Sequence, residues 1–186
     1  MKETVSGKAL WNDAAKTGLV LGGVCILYNL IVSLLVPGEG TGGLVAGLLF
    51  GLRTLLWIAK VVGCLFLMRF FLLRICLKYD GVTQKNVFSY GVRIALLSAL
   101  VYSAYVLSDA ILLKPESIDA LFESISSSLG SMMDSNTQAA LDLMRQNYPQ
   151  YLFFGNFIYC FLFGTVLSRL YSRELPPSSL TKADPQ

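Results

Sequence analysis

Two cations lie inside a long apolar stretch of this sequence, where positive charge is costly. Arg53 and Lys60 are seven residues apart among Leu, Val, Ala, Trp and other apolar residues, so they share one face of a helix. A charged side chain at the depth of a bilayer costs roughly 2.5 kcal/mol or more unless it is paired or reaches water. We therefore expect both side chains to lie near groups that neutralise them, either a carboxylate of this chain or an anionic ligand.

Asp109 is the expected partner, because it is the only acidic residue inside any predicted membrane span. The spans that contain Lys60 and Asp109 are joined by a short polar turn at 78–86, which predicts an antiparallel hairpin. In that hairpin Asp109 lies level with the segment between the two cations, and two tyrosines four and seven residues before it share its face. The predicted polar cluster, toward the outer half of the membrane, is Arg53, Lys60, Asp109, Tyr105 and Tyr102, and Asn29, Ser33, Asn156 and Tyr159 could complete it.

This cluster has two interpretations. In the first, it is a buried structural salt bridge near the outer interface. In the second, it binds an anionic lipid headgroup or acts as a relay in transport, since an ionisable residue within a membrane is a functional candidate by default. A water-accessible cavity that reaches Lys60 would favour a transport role, whereas a dry bundle with an apolar or glycine-rich outer face would favour a scaffold.

Residues that usually carry catalysis or bind metals are scarce. The chain has no histidine, and the predicted spans contain no pair of carboxylates. Cys25, Cys64, Cys76 and Cys160 all lie inside apolar blocks without a CxxC pair, which is typical of buried thiols rather than of metal or redox sites. We therefore predict no enzymatic activity, no catalytic residue, no cofactor and no metal. The net charge of +3 is too small and too dispersed for nucleic-acid binding.

The composition is that of an integral membrane protein. Hydrophobic residues make up 54% of the chain, charged residues 15%, and the mean hydropathy is +0.59, whereas soluble domains are about a quarter charged. Several apolar blocks are long enough to cross about 30 Å of hydrocarbon as helices. We predict an all-α bundle of four transmembrane helices with an amphipathic helical insert between the third and fourth. The predicted spans are about 17–36, 47–77, 87–113 and 149–171 in a membrane domain at 17–173, with the insert at 116–148, a cytoplasmic segment at 1–16 and a disordered cytoplasmic tail at 174–186.

Glycines at four-residue spacing mark two faces for close helix packing. Gly18 and Gly22 form one pair in the first span, and Gly43, Gly47 and Gly51 repeat the spacing at the start of the second helix. Small residues at this spacing let helix backbones approach closely. We predict that both sets pack helices.

The basic residues predict the orientation of the chain. The turn between the second and third spans and the helix ends beside it carry Arg69, Arg74, Lys78, Lys85 and Arg93. Both terminal segments are also rich in Lys and Arg, whereas the opposite side carries only Lys114 and Arg145. By the positive-inside rule, both termini and this turn lie in the cytoplasm. Arg69 and Arg74 can then reach lipid phosphates with their long side chains.

The insert has an apolar face of its own. Apolar residues from Ile118 to Leu129 recur at three- and four-residue spacing, which predicts an amphipathic helix, and a second short helix is predicted from about Asn136 to Gln146. Two roles are open for the apolar residues near this second helix: a lid on the bundle, or an adaptable surface for a partner protein. These residues are Met132, Met133, Leu141 and Met144.

The order of these features resembles that of a bacterial membrane family catalogued as domain of unknown function 4199. The shared features are four spans, a basic turn after the second, "FSYG" opening the third, and a Met-containing outer insert. Where that family has a "KxYRDK-GG-ISFGEA"-like stretch, this chain has "LRICLKYDGVTQKNVFSYGVR". Phe88, Ser89 and Gly91 match its "SFG" region, Gly164 matches a glycine of its last span, and Gly81 stands in place of its double glycine. The resemblance covers about 17–173.

The resemblance implies a four-helix inner-membrane protein of Gram-negative bacteria with no known activity, cofactor or catalytic residue. It also suggests an association with a glycosyltransferase that acts on lipid-linked sugars. We therefore expect a non-enzymatic accessory or scaffold subunit of a membrane complex. Its partners would be membrane lipids and a membrane protein or a second copy of the chain. The alternative is a small transporter or lipid-binding protein that uses Arg53, Lys60 and Asp109. A membrane enzyme is disfavoured because the chain lacks the catalytic residue types described above.

Overall fold

The computed structural model describes residues 3–4, 7–35, 43–113, 115–130 and 134–175. In chain order, its elements are β1 (Glu3–Thr4), α1 (Gly7–Ser33), α2 (Gly43–Lys78), β2 (Tyr79–Asp80), α3 (Gln84–Ser108), a π-helical segment (Asp109–Leu113), α4 (Pro115–Leu129) and α5 (Ser135–Glu174). Four helices are long and apolar enough to cross a membrane: α1, α2, α5, and α3 with its π segment. The predicted all-α bundle is confirmed, and its four long helices fit a multi-pass membrane protein.

The central helix of the bundle is α3, because both α1 and α5 pack along it. A Cβ atom at Gly18 would lie 2.8 Å from Leu97 Cβ, and a Cβ atom at Gly22 would lie 3.0 Å from Val101 Cγ1. The glycine pair of the first span therefore lies where α1 and α3 approach closely, a distance that only small residues permit.

The approach of α3 to α5 is closer still. A Cβ atom at Gly91 would lie 2.5 Å from Ser168 Oγ, and a Cβ atom at Gly164 would lie 2.6 Å from Ala95 Cβ. Small residues that are buried or partly buried recur at every fourth position along both helices, as they do where membrane helices pack closely. They are Gly91, Ala95, Ala99 and Ser103 on α3, and Gly164, Ser168 and Ser172 on α5.

The glycines at the start of α2 lie in a different environment. No atom of the described residues beyond their own helix lies within 4 Å of the position that a Cβ would take at Gly43, Gly47 or Gly51. The structure thus places no helix of the described chain against this face. Packing by these three glycines would need a partner.

The main apolar core lies at one end of the bundle, around the turn between α2 and α3. There β1 pairs in parallel with β2, with Glu3 opposite Tyr79 and Thr4 opposite Asp80. The buried core side chains include Leu10, Leu72, Ile75, Tyr79, Val82, Val87, Ile94 and Leu175. Near the other end of α2, by contrast, the side chain of Phe50 is 74% exposed. The helices are therefore packed tightly at one end, and α2 is largely uncovered at the other.

Two helices extend beyond their predicted bounds. α1 begins at Gly7, so most of the predicted cytoplasmic segment 1–16 belongs to the first long helix. α5 is unbroken, so the short helix predicted at 136–146 and the span predicted at 149–171 are one element.

Local capping and a tolerated proline explain the long α5. The helix is capped by Asp134, whose carboxylate accepts the Thr137 N–H at 2.7 Å. Hydrogen bonding from Thr137 to this carboxylate lowers the pKa of the Asp134 carboxyl. Pro149 lies inside the helix rather than at its start. Proline removes a backbone donor, a cost that helices in membranes accommodate through their neighbours.

Helices α4 and α5 contact each other, and their contacts among the described residues include two pairs of side chains. The rings of Phe122 and Tyr148 meet edge to face with centroids 5.5 Å apart, and Arg145 pairs with Asp119. Leu141 is half-buried and Met144 is exposed. The other predictions for this region and for the termini fall on residues outside the described ranges, namely Lys114, Met132, Met133, and residues 1–2, 5–6 and 176–186 of the terminal segments.

Candidate functional site

Lys60 is the centre of a polar contact between three helices. Its Nζ lies 4.7 Å from the ring centroid of Tyr28 on α1 and 4.9 Å from that of Tyr102 on α3. The Asn29 Nδ2 of α1 donates a hydrogen bond of 3.2 Å to the Tyr102 hydroxyl. The ammonium group is therefore held between two aromatic faces, one of which is fixed by a neighbouring amide.

These aromatic rings explain how the bundle tolerates the charge. Each cation–π contact contributes about 0.5–2 kcal/mol, so the two together contribute about 1–4 kcal/mol. A lysine at the middle of a membrane helix costs about 2.5–3.5 kcal/mol on insertion scales. The two quantities are similar, so Lys60 can remain within the bundle without a carboxylate partner.

The predicted cluster is brought together only in part. Among the described residues, neither Arg53 nor Lys60 forms an ion pair with a carboxylate, and the expected pairing with Asp109 is not found. Asp109 opens the π segment, and its backbone N–H donates to the carbonyls at the end of α3. Tyr105 is half-buried on the last turns of α3.

Of the four residues that were predicted to complete the cluster, some lie beside Lys60 and others do not. Asn29 joins the contact, whereas Ser33 Oγ and Asn156 Nδ2 donate to carbonyls of their own helices. Tyr159 lines a cavity beside Lys60. Sequence reasoning missed Tyr28, whose one signal is its position directly before Asn29.

Lys60 stands between two cavities. The first, the α1–α2 groove, has a volume of about 550 Å³ and is lined by Tyr28, Asn29, Val32, Phe50, Arg53, Thr54, Trp57 and Lys60. The second, the inner cavity, has a volume of about 170 Å³ and lies between α1, α2, α3 and α5. Its lining includes Cys25, Cys64, Met68, Phe163 and Leu167, together with Trp57 and Lys60. The two shared residues make the cavities neighbours along α2.

The chemical character changes from one cavity to the other. Both cations line the α1–α2 groove, and Arg53 lies about 10 Å beyond Lys60 along the helix axis, toward the start of α2. Below Lys60, the inner cavity is lined mainly by apolar atoms down to Met68, about 12 Å away along the axis. The site is therefore cationic and polar at one end and apolar at the other.

Two cysteines meet in the wall of the inner cavity. The sulfur atoms of Cys25 and Cys64 are 3.8 Å apart, and both residues are free thiols. Within the described ranges, no group of three or more His, Cys, Asp or Glu side chains is placed to hold a metal ion.

A second polar network lies near the tight end of the bundle. Asp13 forms an ion pair of 3.0 Å with Lys78 and accepts a hydrogen bond of 2.8 Å from the Tyr90 hydroxyl. That hydroxyl also lies 3.0 Å from Thr17 Oγ1. The network joins α1, α2 and α3, and its contacts are fully explained by their role in holding these helices together. Sequence analysis placed Asp13 outside the membrane domain and did not foresee it.

The predicted cytoplasmic-side basic residues all lie toward this tight end. Arg69, Arg74, Lys78 and Lys85 are exposed. Arg93 is half-buried, with its guanidinium carbon 4.9 Å from the Trp11 ring. Exposed cations toward one end of a membrane bundle suit contact with lipid phosphates.

No family model matches this chain, and no curated protein or solved structure is detectably similar to it. The resemblance to domain of unknown function 4199 therefore stays a prediction.

Proposed function

We propose that this chain is a non-enzymatic, multi-pass protein of a bacterial inner membrane that binds a membrane amphiphile at Lys60. The observation that carries the proposal is the pair of adjoining cavities on either side of this lysine, one polar and one apolar. A dry bundle would have favoured a purely structural role for the cation. Ligand sites in helical bundles are concave, largely apolar and equipped with a few polar groups, and this site has that character.

The non-enzymatic part of the proposal rests on the residues around Lys60. They supply hydroxyls, thiols, one amide, one indole, one amine and one guanidinium, but among the described residues neither cavity lining contains a carboxylate or a histidine to serve as a general base. A membrane amphiphile can be bound there without being transformed.

The orientation is part of the same proposal. The exposed basic residues Arg69, Arg74, Lys78 and Lys85 lie at the tight end of the bundle, which supports a cytoplasmic location for that end and for both termini. The α1–α2 groove then lies toward the outer leaflet.

A second candidate function is that of an accessory subunit of a membrane complex. It is favoured by the face of α2 formed by Gly43, Gly47 and Gly51, which no other helix of the described chain covers. Such a face suits close packing against another membrane helix. The partner would be a second copy of the chain or another membrane protein, and a glycosyltransferase acting on lipid-linked sugars is the one that the family resemblance suggests.

Native mass spectrometry of the full chain in mild detergent tests the first function. We expect the wild type to retain an amphiphile at about one per chain. Lys60→Gln should lose it, because it removes the charge while keeping a side chain of similar length. Lys85→Gln removes an exposed charge outside both cavities and should retain the amphiphile.

Absence of any bound amphiphile from the wild type, or equal retention by Lys60→Gln, would refute the proposal. Recovery of a membrane protein in equal amount, with empty cavities, would favour the accessory subunit instead.

A further inference from the structure

We infer that the amphiphile is a lipid whose phosphate headgroup carries a net negative charge, held with its phosphate between Arg53 and Lys60 and its hydrocarbon chain in the inner cavity. This inference rests on the proposed function and adds to it the chemistry and the direction of the ligand. It follows from three features of the site: the sign of its charge, the order of its polar and apolar parts, and its exposure to lipid.

The charge of the α1–α2 groove calls for an anion. Among the described residues, its lining contains two cations and no Asp or Glu. Lys60 is stabilised by aromatic rings, which leave its positive charge in place. An anionic ligand would neutralise the two side chains together, and that attraction is strong where water is scarce.

The geometry of the donors favours a phosphate over a carboxylate. The backbone positions of Arg53 and Lys60 are about 10 Å apart along the helix axis, so an anion between them must accept hydrogen bonds from opposite directions. A phosphate presents several oxygens around one centre, and arginine binds two of them with its planar fork while lysine contributes a point charge. The amide group of Asn29 lines the same groove and offers an additional donor.

The order of the two cavities fixes the direction of the lipid. The inner cavity extends from the level of Trp57 and Lys60 toward the tight end of the bundle, with Cys64, Met68 and Leu167 in its wall. A hydrocarbon chain fits this lining and has no place among the cations above it. The phosphate therefore lies nearer the start of α2 and the chain points toward the basic end, as in a lipid of the outer leaflet under the proposed orientation.

The site is also open to the lipid phase. Trp57 lines both cavities and is 58% exposed, and Phe50 at the rim of the groove is 74% exposed. These side chains face the surroundings of the helix bundle, so a lipid can reach the site from the side without first leaving the membrane.

Photo-crosslinking in nanodiscs of phosphatidylcholine tests this inference with the full chain. Three probe lipids are used, each in trace amount. Two are phosphatidic acids, one with a diazirine next to the phosphate and one with a diazirine near the chain end. The third is a phosphatidylcholine with the diazirine near the chain end. Labelled peptides are identified by mass spectrometry.

We expect the headgroup probe to label α2 around 50–57, and the chain-end phosphatidic acid to label 61–68 of α2 and 160–167 of α5. Phosphatidylcholine should label these segments about tenfold less, since its cationic choline opposes the two side chains. Arg53→Gln and Lys60→Gln should each reduce labelling by phosphatidic acid about tenfold. Lys85→Gln, the matched control, should leave it unchanged.

Equal labelling by the two chain-end probes, or headgroup and chain labels in the reverse order, would overturn the inference while leaving the proposed function intact. Protection of the headgroup segment by millimolar inorganic phosphate, with no chain label in the inner cavity, would assign the site to free phosphate and also overturn it. If no probe labels either cavity, the proposed function fails as well. Because the comparison of probes uses the wild type, it stands even if a variant does not fold.

Discussion

The close approach of α3 and α5 predicts a large effect for a single methyl group at Gly164. In Gly164→Ala, the new Cβ would lie 2.6 Å from Ala95 Cβ and 3.3 Å from Ala95 Cα. Carbon atoms are normally about 3.5–4.0 Å apart at contact, so the helices must separate by about 1 Å. Overpacking of this kind costs about 1–3 kcal/mol.

An opposing effect must be separated from this cost. Alanine is favoured over glycine inside a helix by about 0.8–1.0 kcal/mol, and that gain would hide part of the overpacking. Gly155→Ala is the matched control, because Gly155 lies on the same helix and no described atom beyond its own helix lies within 4 Å of its Cβ position. This gain in helix propensity is common to Gly164→Ala and Gly155→Ala, so it cancels when the two variants are compared. We therefore expect Gly164→Ala to be less stable than Gly155→Ala by about 1–3 kcal/mol.

A double-mutant cycle makes the test specific to this contact. Ala95→Gly combined with Gly164→Ala moves the methyl group from α3 to α5 and restores the space between them. We expect a favourable coupling of about 0.5 kcal/mol or more in the free energy of unfolding. Unfolding in mixed micelles with increasing dodecyl sulfate, followed by circular dichroism, measures all four variants. Equal stability of Gly164→Ala and Gly155→Ala would show that α3 and α5 do not approach at this position.

Two further predictions test the placement of α1 against α2 and α3. Oxidation of the solubilised protein with copper phenanthroline should join Cys25 to Cys64 in a disulfide. Their sulfur atoms are 3.8 Å apart and need to approach to about 2.05 Å. Peptide mapping should also find this disulfide in the Cys76→Ser control, and its absence there would contradict the packing of α2 against α1. Tyr90→Phe removes the hydroxyl that donates to the Asp13 carboxylate at 2.8 Å, so it should lower the free energy of unfolding by about 1.5–3 kcal/mol, and a loss below about 0.5 kcal/mol would argue against this network.

The existence of the four long helices could be read from the sequence because the bilayer imposes a simple rule. A span must be apolar over about 20 residues and must satisfy its own backbone hydrogen bonds, and both conditions are local. The helix ends depend on less local effects. The sequence around Pro149 is compatible with either a helix start or a helix interior, and α5 continues through it.

For the candidate site, the sequence predicted the height of Lys60 along the helix axis relative to α3. It did not predict which residues of the neighbouring helices contact the lysine. Counting residues back from the turn at 78–86 placed Lys60 level with residue 104, close to Tyr102, which it contacts. The same counting placed Asp109 near Arg53, and no ion pair forms there among the described residues. Which helix lies beside a given position is decided by packing along the whole bundle. Here α1 supplies one of the two rings and the amide beside Lys60, and α3 supplies the other ring.

The contrast between the two ends of the bundle connects the fold to the proposed site. The buried core side chains and the β1–β2 pair gather around the turn between α2 and α3. Along α3, small residues draw α1 and α5 inward, but α2 has no comparable contact at its start, where Gly43, Gly47 and Gly51 face no described atom. Helices that are joined firmly at one end and uncovered at the other leave a space between them. Because Lys60 lies at the junction of that space with the inner cavity, its charge is available to a ligand.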